Sequence, residues 1–93
     1  MQNSDIKLIE VRLIHREGSE IKAMAKIRLT CGILLSGIRI YSDRMEQGEI
    51  FLSFPTRKDN EGNYEKTYFP YNHKTRQLLT ERVEEVYLAE IAT

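Results

Sequence analysis

Between Ile21 and Leu29 the odd positions are Ile21, Ala23, Ala25, Ile27 and Leu29, and the even ones are Lys22, Met24, Lys26 and Arg28. Apolar and polar residues alternating with period two predict a strand with one face buried and one wet. The run 6–15 places Val11, Leu13 and His15 on one face, but adjacent Leu8 and Ile9 break the alternation. That break predicts a bulge or a strand buried on both sides. Arg16, Glu17, Gly18 and Ser19 then form a hairpin turn signal. Residues 33–41 are apolar on both faces around Ser36 and Gly37, which predicts a central strand with a helix on one side and room for a partner subunit on the other. Residues 50–54 predict a fourth strand and residues 63–69 a fifth.

From Lys74 the period changes. Leu78, Leu79, Val83, Val86, Tyr87 and Ile91 recur at steps of three and four, whereas Gln77, Glu81, Glu84 and Glu85 fall on the opposite side. This spacing predicts an amphipathic helix of roughly 18 residues, about 27 Å long, with Asn72 as its N-cap. The expected fold class is α+β: an antiparallel β-sheet of four to five strands with one long C-terminal helix packed on it. No repeat, low-complexity tract or linker divides the chain, so residues 1–93 are read as one domain.

Composition narrows the function classes. A chain of 93 residues buries only about two thirds of the surface its unfolded form exposes, so a homodimer is expected to help it. No apolar run approaches the roughly 20 residues that a membrane span needs, and the start MQNSDIKLIE lacks the basic and apolar regions of a signal peptide. A cytoplasmic protein is expected. Cys31 is the single cysteine and stands beside Gly32, which reads as a small buried hydrophobe and not a nucleophile. His15 and His73 are far apart, so no spacing fits a zinc site. Nothing marks a nucleophile with a base beside it or a glycine-rich phosphate loop, and Glu84 and Glu85 diverge by about 100° on the helix. The expectation is therefore a protein that is not an enzyme, with no catalytic residue, metal, cofactor or small-molecule substrate.

Formal net charge is zero, which argues against coating a polyanion by bulk positive charge. Charge is nevertheless distributed unevenly. The segment 54–76, FPTRKDNEGNYEKTYFPYNHKTR, holds five of the 14 basic residues against three acidic ones, whereas 77–93 holds Arg82 against Glu81, Glu84, Glu85 and Glu90. Pro55, Gly62 and Pro70 punctuate the basic segment as a hairpin with a mobile tip carrying Arg57 and Lys58. Arg and Lys suit phosphate oxygens, and Tyr64, Tyr68, Phe69 and Tyr71 offer rings for bases. The same composition also fits an ordinary solvated loop, since Asp59, Glu61 and Glu65 dilute the field.

Pro55, Thr56, Arg57 and Lys58, then Gly62, Tyr64 and the run from Pro70 and Asn72 to Thr75 and Arg76, follow an order that resembles the SpoVG family (stage V sporulation protein G, or septation protein). Val11-Arg12-Leu13, Ile21-Lys22-Ala23, Ile38-Arg39-Ile40 and Phe51 extend the resemblance over roughly residues 5–87. Each motif is short; their shared order carries the specificity. The chain departs from the pattern at Phe69, where family members usually carry histidine, at Lys66, where they usually carry aspartate, and in a longer turn at 41–49. The resemblance implies a regulator of the septation and sporulation type that binds DNA, RNA or both.

The expected nucleic-acid-binding residues are Arg57 and Lys58 in the hairpin, Lys66 on its return strand, and Lys74 and Arg76 at the helix start, where free amides add to the attraction for phosphate. Arg39 is equally readable as a structural partner of Asp43 or Asp5. The rival reading is a protein-interaction adaptor that works through its sheet edge without touching nucleic acid.

Overall fold

The alternation in β2 (Ile21–Leu29) places Ala23, Ala25 and Ile27 in the core of the computed structural model, which describes residues 1–14, 20–42 and 50–92. β2 lies between β1 (Ile6–Leu13) and β3 (Leu34–Ser42), and β4 (Ile50–Ser53) completes a four-stranded antiparallel meander in chain order. His15, the turn 16–19, Asp43 and most of the expected long turn, residues 43–49, lie outside the described residues.

The broken alternation of β1 is a bulge. The register with β2 shifts between Ile6 and Leu8, so Ile6 and Ile9 both reach the core although three positions apart. A second shift separates the pairs Ala25↔Ile38 and Ile27↔Leu35, where β3 takes three steps to two of β2. Gly37 occupies this bulge at φ +79°, a conformation that a side chain resists.

α1 (His73–Ile91) begins as its sequence demands: the Asn72 side chain accepts from the Thr75 amide at 2.8 Å. Leu79, Val83 and Tyr87, at steps of four, are buried in one core with Ile6, Ile9, Ile27, Ile38, Ile40 and Leu52, with Leu78 and Val86 at the margin. The helix touches both edge strands, β1 and β4, and so spans the sheet. Ile91, expected on its apolar face, is exposed in the last turn.

Three local expectations are corrected. The fifth strand is only Tyr64–Lys66 (β6), and it pairs with β5 (Thr56–Lys58) in a separate two-stranded sheet. Pro55 supplies the cause: it has no amide to continue the main ladder, and its carbonyl accepts from both the amide and the hydroxyl of Thr67. Cys31 is exposed, because it lies in the turn between β2 and β3, where Gly32 takes φ +94° and side chains project outward. β3 is covered only on its helix side. On the other face Leu34, Arg39 and Phe51 of β4 are exposed, and Arg39 makes no ion pair with Asp5, whose carboxylate accepts from the Gln2 amide instead.

Candidate functional site

The hairpin is organised by an acid. Asp59 Oδ1 accepts from the amides of Glu61 at 2.9 Å and Asn63 at 2.8 Å, and the Asp59 amide donates to the Asn63 carbonyl. Gly62 closes the turn at φ +87°. The tip is therefore residues 59–63, and Arg57 and Lys58 stand just before it on β5.

Strand geometry then separates these two neighbours. Arg57 lies opposite Glu65 and Lys58 opposite Tyr64, so the pair points to opposite faces of the hairpin. Arg57 Nε meets Glu65 Oε1 at 3.2 Å, in an ion pair exposed on both sides. Lys58, Tyr64 and Lys66 share the other face, where no carboxylate among the described residues pairs with the two ammonium groups. Lys58 Nζ lies 5.9 Å from the Tyr64 ring and Lys66 Nζ 5.4 Å from the Phe69 ring. Lys66 and Phe69, two of the three places where the sequence departs from the pattern it resembles, thus lie together.

At the helix start Lys74 and Arg76 occupy a first turn that contains no acidic residue, so the positive end of the helix dipole is uncompensated. Arg76 lies over the Phe54 ring at 5.8 Å, and Phe54 packs edge-on against Tyr68. The Tyr68 hydroxyl donates to the Ser36 carbonyl, and burial pushes its pKa up to about 12. Tyr68 is accordingly a structural ring, whereas Tyr64 and Tyr71 are 74% and 88% exposed. Phe54, Tyr68, Phe69, Tyr71, Asn72 and Thr75 border an open apolar cavity of about 330 Å³ beside the helix cap.

Of the five expected cations, Lys58 and Lys66 share a hairpin face, Lys74 and Arg76 share the helix start, and Arg57 faces away with a partner. The uncovered sheet face carries exposed Arg12, Lys26, Arg28 and Arg39, which were not singled out as a site. The signal was present in the polar positions of β2, but the contribution of neighbouring strands to the same face depends on register. Among the described residues no group of three His, Cys, Asp or Glu side chains could hold a metal, and no helix is long and apolar enough to cross a membrane.

The SpoVG family profile matches residues 1–89. A relative from Agathobacter rectalis, provisionally named septation protein SpoVG, is 31% identical over 91 residues, covering 98% of this chain and 97% of that protein. A match of this extent, running through both the sheet and the hairpin–helix segment, shows that the chain belongs to the SpoVG family.

Proposed function

We propose that the chain is a nucleic-acid-binding regulator of the septation and sporulation type, which holds phosphates with Lys58 and Lys66 on one hairpin face and with Lys74, Arg76 and the open amides of α1. The observation that carries this reading is the set of four exposed cations without an ion-pair partner among the described residues, two of them on a helix start without an acid. Arg57 contributes less, because Glu65 already occupies its guanidinium. Exposed Tyr64, Phe69 and Tyr71 add rings on which unpaired bases can stack. The relative's septation name supports the cellular role, and a homodimer would double the phosphate contacts that one neutral copy offers.

Fluorescence-polarisation titration of matched single-stranded and duplex DNA and RNA over a series of salt concentrations tests this. Binding should weaken steeply with salt, by about 0.9 log units per log unit of salt for each phosphate contact on B-form duplex and about 0.7 on single strands. Lys58→Glu combined with Lys66→Glu should abolish most of the binding and leave the fold intact. Absence of binding by the unmodified protein at low salt would favour the adaptor reading.

A further inference from the structure

We propose that the open face of the four-stranded sheet is a second nucleic-acid surface, selective for single strands; this rests on the nucleic-acid reading above but uses none of its residues. The register assembles the surface. Arg12, Met24, Arg39 and Ser53 form one row across all four strands, Leu8, Arg28 and Leu34 a second, and Glu10 and Lys26 lie between them. Among the described residues the face thus presents Arg12, Lys26, Arg28 and Arg39 against one carboxylate, Glu10, which lies 3.6 Å from Arg28. In a chain of zero net charge this is a concentrated positive field.

Shape and apolar content select the form of the polyanion. A hollow of about 400 Å³ lies between Glu10, Arg12, Met24, Lys26 and Gly37. Its location coincides with the bulge, where Gly37 brings no side chain to the surface. Beyond the Arg39 row, Tyr41 and Phe51 stand directly opposite each other, and Phe51 is 53% exposed. Apolar side chains set between cations gain contact only from bases whose faces are free, which a duplex hides and a single strand offers. A second copy of this chain is a poorer occupant. A two-fold contact through this face would set the four cations of one copy against the same four of the other, with Glu10 the one carboxylate among the described residues of each to answer them.

The test uses the full chain with a labelled oligothymidylate and a mixed-sequence duplex of equal length, alongside thermal melting and sedimentation. Arg12→Glu combined with Lys26→Glu should weaken oligothymidylate binding by about ten-fold or more and flatten its salt slope by about 1.4, while duplex binding, melting and sedimentation change little. Phe51→Ala should weaken oligothymidylate by about five-fold or more without changing the salt slope. Should the charge reversal unfold the sheet, Arg12→Gln with Lys26→Gln reads the same slope. Unchanged oligothymidylate affinity in the Arg12 and Lys26 variants overturns the proposal, as does intact binding with an altered oligomeric state, which would make the face a contact between copies. If those variants bind normally while Lys58→Glu with Lys66→Glu does not, this inference alone falls; if the unmodified protein binds neither probe, the nucleic-acid reading falls with it.

Discussion

Arg57 and Lys58 are adjacent in the chain yet differ in chemical role, because a strand sends consecutive side chains to opposite faces. Arg57 spends its guanidinium on an exposed carboxylate, and such surface pairs contribute about 0–1 kcal/mol. Arg57→Ala should therefore leave stability within about 0.5 kcal/mol, and weaken nucleic-acid binding less than Lys58→Ala does in the same titration. Tyr68 belongs to the opposite class, a ring held by packing and by its hydroxyl's bond to Ser36. Tyr68→Phe should cost about 1 kcal/mol in denaturant unfolding. Its folded pKa of about 12 lies above the ordinary value of 10.0, so between these values the unfolded chain releases the phenolic proton first. The Tyr68 contribution is therefore complete below pH 10 and declines as pH rises toward about 12. Spectroscopic titration of phenolate absorbance should show a late step that is missing in Tyr68→Phe.

At the scale of elements, α1 couples stability to the candidate site through one side chain. Asn72→Ala removes the cap and should cost about 1 kcal/mol, lowering Tm by about 4–8 °C. Asn72→Asp keeps a cap acceptor and adds a negative charge that favours the helix dipole, so Tm should hold or rise. The same charge repels phosphate, so nucleic-acid affinity should fall. A protein with higher Tm and weaker binding would separate the site from the fold, whereas unchanged binding in Asn72→Asp would remove the helix start from the site. The helix, its cap and the alternation of β2 were legible in the sequence because each depends on residues within one or two turns or strands. The separation of the hairpin from the main sheet was harder to read: Pro55 announces a lost amide, but that its carbonyl would hold Thr67 is a tertiary fact. Cys31 misled for a similar reason, since intrinsic burial preference yields to a turn held by Gly32. The split of Arg57 from Lys58 and the assembly of Arg12 with Arg39 around Met24 both depend on strand pairing, which no local pattern encodes.

At the scale of the whole molecule, zero net charge conceals an arrangement in which cations occupy the sheet's open face, one face of the hairpin and the helix start, while the later turns of α1 hold four of the 14 acidic residues against Arg82. Glu90 is 16 residues along the helix from Lys74, or about 24 Å, more than twice the Debye length of about 10 Å at 0.1 M salt. Glu90 therefore opposes binding through a long-range field that salt screens, and Glu84, about 15 Å from Lys74, does so at shorter range. Glu84→Gln with Glu90→Gln raises the net charge to +2 without adding a cation near the proposed phosphates. Association with single-stranded DNA should quicken by about two- to three-fold at low salt and converge on the unmodified rate near physiological salt, with the slope of log affinity against log salt unchanged. Stopped-flow fluorescence across a salt series measures both quantities. A steeper slope in the variant would mean that the nucleic acid runs along the outer helix, and would move the interface away from the hairpin and helix start.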